Sequence, residues 1–461
     1  MAKNDNLTDF LADVANAIRE KKGTTDLINP QDFSAEIASI ETGGGGEGGG
    51  GAVVTAKDVN FRDYDGTILH SYTKAQFLAM AELPELPTQA GLICQGWNWS
   101  LEDAQSYVAE YGILEVGAIY ITDDGKTRLY IRIATEGRMD VPLYFSQTIA
   151  NGVVIDWGDG SATQTLSGTG KKNTTHHYDT IGDYVITLDA VSGTYILGHE
   201  ESSYCVMGST GNSGRVYCNM LKKVEIGKNV TGIERAFYNC GSLASVVIPL
   251  GVPSIYYTFY SCYSLASVVI PQGVANYTAA FQNCHSLASV VIPLGAELFS
   301  STFYDCHSLA SLVIPQGVTN IGGNAFQNCY SLASVVIPQG VTNIGNKAFY
   351  FCYSLASVVI PQGVTSIGES AFQNCHSLAS LVIPLGVTSI SNKAFQVCYG
   401  MAYYDFTQCT SVPTLGGTTV FYNIASDCKI VVPDALYDEW IAATNWSTHA
   451  SKIVKASEYT E

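Results

Sequence analysis

The stretch SLASVVIPQGVTNIGNKAFYFCY, residues 331–353, is one copy of a unit that recurs along the second half of the chain. Its Ile-Pro pair returns at intervals of 22 residues three times and then of 23 residues three times. A fixed period of this length predicts a solenoid, in which each unit buries its apolar face against its neighbours. The prolines of the pair are Pro249, Pro271, Pro293, Pro315, Pro338, Pro361 and Pro384.

Each unit carries the pattern L-x-x-V-x-I, here Leu332, Val335 and Ile337, which is the strand signature of leucine-rich repeats. Alternation along the strand places Val335 and Ile337 on the inner face. Ser334 and Val336 then lie on the outer face, and the following proline ends the strand because it has no N–H. The outer positions predict an exposed valine ridge that needs a cover or a partner, formed by Val269, Val291, Val313, Val336 and Val359.

The longer pattern I-P-x-x-V-x-x-I-G-x-x-A-F-x-x-C resembles the BspA-like leucine-rich-repeat family, found in bacterial surface proteins and in some phage proteins. The resemblance begins at about Leu221, in the degenerate unit LKKVEIGKNVTGIERAFYNC, and ends near Tyr399. It implies a mainly β, multi-domain protein with a solenoid over residues 221–400. A C-terminal cap, with Trp440 and Trp446, would follow over residues 401–461. Three units depart from the pattern, at residues 253–257, 275–277 and 296–299.

Eight cysteines keep the register of the repeat. Because neighbouring coils lie about 4.8 Å apart, we expect these residues to form a buried column of reduced thiols. Paired C-x-x-C spacing is absent from the sequence, which argues against zinc. The members of the column are Cys240, Cys262, Cys284, Cys306, Cys329, Cys352, Cys375 and Cys398.

Residues 1–42 predict a helical segment for attachment or oligomerisation. An apolar stripe runs along residues 5–22, and Asn29-Pro30 begins a second helix. So small a core is not stable unaided, so we expect it to bind copies of itself or other virion proteins. The sequence GGGGEGGGG at 43–51 is a flexible linker. This arrangement resembles the N-termini of phage-encoded structural proteins.

Residues 52–126 predict a small α+β domain. Its DYDGT sequence, from Asp63 to Thr67, matches the nucleophile loop of haloacid-dehalogenase-type phosphatases. The large α/β domain that such an enzyme needs has no room before the repeat, so we interpret the motif as a hairpin turn. Ser100 with Asp103 predicts the start of a helix that runs to about Tyr111. Trp97 and Trp99 favour core packing over sugar stacking.

Residues 127–198 resemble the PKD domain, an immunoglobulin-like β-sandwich, and residues 199–220 would connect it to the repeat. Asp156 and Asp159 are either Ca²⁺ ligands or turn hydrogen-bond acceptors, and the second reading is favoured. The residues that match the motifs W-G-D-G-[ST] and H-x-Y-x-x-x-G-x-Y-x-V-x-L are Trp157, Gly158, Asp159, Gly160, Ser161, His176, Tyr178, Gly182, Tyr184, Ile186 and Leu188.

The balance of charge restricts the class of partner. The chain of 461 residues has 23 Lys and Arg against 41 Asp and Glu, a net charge of −18. Such a chain is repelled by phosphate backbones and anionic lipid, so we expect neither nucleic acid nor a membrane as a partner. No apolar stretch is long enough to span a bilayer, and no secretory signal is recognisable. We expect no catalytic residues, no cofactor and no metal site.

The residue that follows each cysteine of the column is the candidate ligand surface, because it recurs at the edge of every coil. Its aromatic side chains suit glycan or protein partners on a host surface. The favoured function is a non-enzymatic, homo-oligomeric fibre or adhesin on a phage particle, assembled in the host cytoplasm. The alternatives are a bacterial cell-surface adhesin and a purely structural virion or decoration component. The candidate residues are Tyr263, His285, His307, Tyr330, Tyr353, His376 and Tyr399.

Overall fold

The computed structural model describes residues 56–148, 151–190, 192–198, 204–209, 215–295 and 300–460. The predicted helical segment at 1–42 and the glycine linker at 43–51 lie outside these residues, as does the departing turn at 296–299. Within the described residues, no helix has the length and apolar character needed to cross a membrane.

The first domain is a four-stranded sheet with two helices, in the strand order β2-β1-β4-β3. Its elements are β1 (Val59–Arg62), β2 (Ile68–Tyr72), α1 (Lys74–Leu78), β3 (Leu92–Trp97), α2 (Leu101–Tyr111) and β4 (Leu114–Thr122). The predicted helix start is confirmed, because the Ser100 side chain accepts the Asp103 N–H at 3.1 Å. Gly112, with φ +85°, ends the helix in the left-handed conformation that suits glycine.

Two sheets follow and enclose a shared core. Their strands alternate buried and exposed residues, as Leu129, Ile131 and Ile133 do in the first of them. The elements are β5 (Thr127–Ile133), a 3-10 helix (Glu136–Arg138), β6 (Asp140–Gln147), β7 (Val153–Asp156), β8 (Gln164–Leu166), β9 (Gly170–His177), β10 (Gly182–Asp189) and β11 (Tyr195–Leu197). A hairpin and a short helix lead on to the repeat, namely β12 (Tyr204–Cys205), β13 (Gly208–Ser209) and α3 (Arg215–Cys218).

The repeat forms a β-solenoid whose short strands pair in parallel, confirming the leucine-rich-repeat prediction. Its strands are β14 (Leu221–Glu225), β15 (Val230–Gly232), β16 (Ser245–Val247), β17 (Ser267–Val269), β18 (Ser289–Val291), β19 (Ser311–Val313), β20 (Asn320–Ile321), β21 (Ser334–Val336), β22 (Asn343–Ile344), β23 (Ser357–Val359), β24 (Ser366–Ile367), β25 (Ser380–Val382), β26 (Ser389–Ile390), β27 (Tyr403–Asp405), β28 (Thr414–Leu415), β29 (Lys429–Val432) and β30 (Ile453–Lys455). We call the face that carries the Ser-x-Val strands the front sheet. The second face consists of β20, β22, β24, β26 and β28.

The two sheets before the repeat continue directly into the solenoid. Strand β14 pairs antiparallel with β5 and parallel with β16. On the other side, β15 pairs in parallel with β11. One hydrophobic core therefore runs without a break from Leu129 to Ile453, so these two sheets close the first open end of the solenoid.

Two buried columns fill the solenoid. Phenylalanine rings stack from coil to coil, for example Phe326 on Phe349 at 5.2 Å between centroids. The predicted cysteine column is buried, and its thiols are free. The seven thiols from Cys262 to Cys398 each donate to a phenylalanine carbonyl in the preceding coil, as Cys284 Sγ does to Phe259 O at 3.0 Å. The same carbonyl accepts the N–H of Cys262 in its own coil, so cysteine supplies a second donor that valine would lack.

The turns between strands need the left-handed backbone twice in each coil. The second of these positions is asparagine in four of the eight coils from Arg235 to Val397, as at Asn328 and Asn374, and asparagine tolerates positive φ. Valine occupies it at Val397, with φ 63°, which is unfavourable for a β-branched residue.

After Tyr399 the sequence pattern fades, yet the sheet continues. Strands β27, β29 and β30 extend the front sheet in parallel register. The loops between them differ in length, which hides the period in the sequence. Trp440 and Trp446 are buried and pack on Phe406 at the end of the solenoid. The helices here are a 3-10 helix (Asp434–Leu436), α4 (Tyr437–Ala442) and two more 3-10 helices (Trp446–Lys452 and Ala456–Glu458).

The predicted exposed valine ridge is wrong for its first half. Val269 and Val291 are only 5% and 2% exposed, because β4 of the first domain lies across them and adds Ile119 to the same cluster. Tyr107 of α2 donates to the carbonyl of Ile314 at 3.0 Å, which fixes the domain on the front sheet. The valine ridge is exposed only beyond the part of the front sheet that the first domain covers, and Val359 there is 72% exposed.

Candidate functional site

The seven candidate residues predicted from the sequence lie in one continuous stack along the edge of the solenoid. We call this stack the aromatic ladder. Successive ring centroids are 4.4 to 5.3 Å apart; the three central contacts are stacked within 19° of parallel, and the other three are tilted by 34–38°. The order along the stack is Tyr263, His285, His307, Tyr330, Tyr353, His376 and Tyr399.

The coils position the ladder through the residues on either side of it. Each ladder residue follows a buried cysteine, which anchors its backbone to the core. The first five ladder carbonyls, from Tyr263 to Tyr353, each accept the N–H of a serine in the next coil, as Tyr263 O does from Ser286 at 3.1 Å. The same bond joins His285 O to the N–H of Ser308 at 3.2 Å. Because these bonds set the offset between coils, the side chains stack in register.

Stacking determines which part of each ring can contact a partner. Within the ladder both faces of a ring are covered by its neighbours, so solvent reaches the edges. Tyr330 and Tyr353 are each 37% exposed, whereas Tyr399 at the end of the stack is 53% exposed. The ladder therefore presents ring edges in a row, although His376 Nε2 is itself buried, and it has one open ring face at its end.

Small residues end the ladder on both sides. Gly241 occupies the slot before Tyr263, where an added Cβ would lie 2.9 Å from the Tyr263 ring. In the coil after Tyr399, Phe421 stacks on Phe395 and the Tyr422 carbonyl accepts the Val397 N–H. This register puts Ala425 in the ladder slot, and among the described residues no ring contacts Tyr399 on the side away from His376.

Two imidazoles of the ladder, those of His285 and His376, have a lowered pKa. Burial lowers the pKa of His285, and the neighbouring His307 lowers it further, although Asp305 opposes the shift. Burial also lowers the pKa of His376. Asp305 lies 3.8 Å from the His307 ring. Both shifts favour the neutral imidazole, so these two positions of the ladder disfavour positive charge.

The DYDGT sequence forms the turn of the β1–β2 hairpin, as the sequence predicted. Asp63 is buried, and its carboxylate accepts the Tyr64 N–H and a hydrogen bond from Gln89. Asp65 accepts the N–H of Thr67 at 2.9 Å. Both carboxylates hold the turn together.

Asp156 and Asp159 also accept hydrogen bonds within a turn. Asp156 accepts the Gly158 N–H at 2.9 Å, and Asp159 accepts the Ser161 N–H at 3.0 Å. Burial would raise the pKa of Asp159, but hydrogen bonds from Ser161 and His176 outweigh it and lower the pKa to about 2. Among the described residues, no group of three or more His, Cys, Asp or Glu side chains could hold a metal ion.

The two tryptophans of the first domain take part in packing. Trp99 is 2% exposed, and its indole N–H donates to the carbonyl of Ile292 in the solenoid at 3.3 Å. The indole N–H of Trp97 donates to Pro84 O at 3.0 Å. Neither ring is available for sugar stacking in the way that an exposed tryptophan would be.

A cleft between the first domain and the front sheet was not predicted from the sequence. We call it the interface cleft; its volume is about 360 Å³. One wall consists of Lys57, Asp58, Asn60, Arg62 and Glu115, and the other of Ser289, Ser311, Ser334 and the valines beside them. These walls are more than 170 residues apart along the chain, so no local pattern links them.

Comparison with known proteins identifies the repeat. The BspA type leucine rich repeat region matches in six copies, over residues 216–306 and 296–426. A leucine rich repeat protein of T. pallidum is 33% identical, the match covering 33% of this chain and 74% of that one, with a TM-score of 0.31. A leucine-rich repeat protein from Bacteroides ovatus is 21% identical over 58% of this chain and 96% of its own, with a TM-score of 0.24.

A leucine rich cell surface protein from Faecalibacterium prausnitzii is 22% identical over 56% of this chain and 96% of its own, with a TM-score of 0.28. No curated protein matches the chain. Because the TM-scores are low, the assignment rests on the sequence of the repeat. On that sequence, the chain belongs to the BspA-type leucine-rich-repeat family.

Proposed function

We propose that this protein is a non-enzymatic attachment protein that binds a partner on a cell surface through the aromatic ladder. The observation that carries the proposal is the row of seven ring edges on the surface of the solenoid. Aromatic side chains are enriched at protein interfaces because they bury a large area at low entropic cost. The ladder presents them on a rigid support.

The chemistry of the ladder favours a neutral partner. From Ala236 to Gly400 the charged residues are Glu297, Asp305, Lys347, Glu369 and Lys393. With so few charges, binding would change little with salt. The interior ring faces are already stacked, so the ladder suits a protein surface that offers hydrogen bonds to ring edges better than it suits stacked sugars. The open face of Tyr399 is the one position in the ladder where a sugar ring would fit.

Membership of the BspA-type family supports a bacterial cell-surface adhesin as the setting. The virion appendage predicted from the sequence has its support in the pattern of residues 1–51, which would oligomerise and tether the chain. The PKD-like resemblance of residues 127–198 fits either setting, as a module that holds the solenoid away from its point of attachment.

A rigid spacer is the second candidate function. The single core from Leu129 to Ile453 favours it, because a shaft must not bend between modules. A spacer would not need an exposed ladder, and this difference separates the two functions experimentally.

The test is attachment of the fluorescently labelled full chain to target bacterial or host cells. We expect the double variant Tyr330→Ala/Tyr353→Ala to bind at least about tenfold more weakly, in the range of a lost aromatic hot spot. Tyr422→Ala removes a tyrosine that is 57% exposed and outside the ladder, and should bind like the parent. Equal binding by all three proteins would favour the spacer.

A further inference from the structure

The interface cleft has the construction of a small-ligand site. Its volume of about 360 Å³ lies within the range of roughly 300–1,000 Å³ that is usual for ligand pockets. It lies beside the domain contact made by Trp99 and Tyr107, so both walls are held in place. It is separate from the aromatic ladder, none of whose residues lines it.

The wall from the first domain is a fixed polar network. Arg62 pairs with Glu115, and its guanidinium also donates to the carbonyl of Gly66 at 2.8 Å. Asn60 is 3% exposed and donates to the other Glu115 oxygen at 2.9 Å. Ser71 donates to Asn60 at 2.6 Å. Because these contacts fix the side chains, a ligand would meet preorganised donors and acceptors.

The wall from the solenoid is a row of hydroxyls. Ser311 and Ser334 are directly paired on neighbouring parallel strands, so their side chains repeat at about the strand spacing of 4.8 Å. Ser289 continues the row on β18. These three hydroxyls make no hydrogen bond to any residue that the structure describes. Each can donate one hydrogen bond and accept two.

We propose that the interface cleft binds a neutral saccharide unit. Its charged groups balance, since Lys57 and Arg62 oppose Asp58 and Glu115, which disfavours a ligand with net charge. A carboxylate of the first-domain wall, such as that of Glu115, can accept hydrogen bonds from two adjacent hydroxyls of a sugar. The serine row on the other wall supplies both donors and acceptors. The apolar part of the wall, at Val313 and Val336, can contact the C–H face of a sugar ring. The volume suits a mono- or disaccharide.

The experiment is titration of the full chain with a panel of neutral mono- and disaccharides, followed by calorimetry and saturation-transfer NMR. We expect at least one neutral sugar to bind, and its uronic acid counterpart to bind more weakly. Ser311→Ala/Ser334→Ala should weaken binding by about tenfold, as expected from two lost hydrogen bonds. Glu115→Gln should also weaken it. Thermal unfolding of each variant shows that the domain contact persists.

The matched control is Ser357→Ala/Ser380→Ala, the same change in the same column but outside the cleft. It should bind the sugar within about twofold of the parent, since surface changes of this kind are small. Binding of no neutral sugar at millimolar concentration, preference for the charged sugar, or equal loss in the control would overturn the proposal. The inference does not depend on the ladder. The variant Tyr330→Ala/Tyr353→Ala should bind the sugar like the parent, whatever its effect on attachment to cells.

Discussion

Gly117 lies so close to Val269 that a Cβ on the glycine would come within 2.4 Å of Val269 Cγ1. The two residues belong to β4 of the first domain and β17 of the solenoid. Asn98 holds the glycine from the other side, because its side chain accepts the Gly117 N–H at 2.8 Å. The missing side chain is what lets the first domain cover the valines of the front sheet.

Replacing Gly117 with alanine should therefore loosen the first domain. We expect a loss of stability of about 1–3 kcal/mol, the usual cost of overpacking. Denaturant unfolding measures the loss, and limited proteolysis should cut residues 56–122 faster. Gly137→Ala is the control, since nothing lies within 4 Å of a Cβ at that position. If the Gly117→Ala protein were as stable as the parent, the contact with Val269 would have room for a methyl group and the prediction would be wrong.

The cysteines should separate into one accessible thiol and twelve protected ones. Cys94 is partly exposed, whereas the other twelve are buried. Burial raises the pKa of the column thiols, including Cys398 to about 12, which suppresses the reactive thiolate. Titration with a thiol reagent at pH 8 should modify Cys94 first and the rest only after denaturation. Cys94→Ser should remove the early phase, and rapid modification of several thiols in native Cys94→Ser would contradict the buried column.

Val397→Asn should stabilise the solenoid. Valine at φ 63° is strained, and relief of left-handed strain is worth about 1 kcal/mol for a single residue. Asparagine already holds the equivalent position at Asn374, with φ 64°. The reverse change, Asn374→Val, should destabilise by a similar amount. Thermal or denaturant unfolding measures both, and a stability change of the same sign in the two variants would refute the strain argument.

Stability should fall as the pH drops below about 6.5. The folded state lowers the pKa of His285 and His376 beneath their ordinary value of 6.5, so the unfolded chain takes up protons first. The contribution is fully present above pH 6.5 and is lost as the pH falls through the folded pKa values. His449, whose pKa burial also lowers, adds to the slope.

The control for this pH dependence is His285→Tyr/His376→Tyr, which uses the residue that the ladder accepts elsewhere. It should flatten the fall in melting temperature between pH 6.5 and 5, leaving the part due to His449. Asp159 does not contribute to the slope between pH 6.5 and 5. Its pKa is lowered from 3.8 to about 2, so its contribution to stability is lost only at a lower pH. An unchanged slope would show that the ladder histidines do not sense pH.

The repeat allowed much of the solenoid and all of the ladder to be predicted. A fixed period makes residues one unit apart into neighbours, so recurrence at Cys284 and Cys306, or at His285 and His307, is already a contact prediction. The cover on the front sheet could not be predicted in this way. Its bonds, such as Tyr107 to Ile314 or Gln95 to Leu250, join residues more than 150 positions apart without any repeat to relate them.

The same limit applies to the start of the solenoid. The sequence boundary at 220/221 separates modules by motif, whereas the core and the β5–β14 pairing run across it. Residues 127–198 match one pattern and residues 221–400 another, but the strand pairing between them depends on exposed backbone groups at each edge, which composition does not reveal.

In the middle of the array, each coil offers its successor the same two acceptors: a phenylalanine carbonyl for the next thiol, as Phe326 O for Cys352, and a ladder carbonyl for the next serine N–H, as Tyr330 O for Ser354. If the 23 residues beginning at Ser354 were duplicated in frame, the inserted coil would therefore meet the acceptors for both of these hydrogen bonds on the coil before it. It would add one ring to the ladder and one strand to the uncovered part of the front sheet, leaving the first domain and both ends as they are. Duplication of one repeat in the gene could thus lengthen the contact surface of this protein by one coil at a time. The number of rings in the ladder can therefore vary while the fold stays the same.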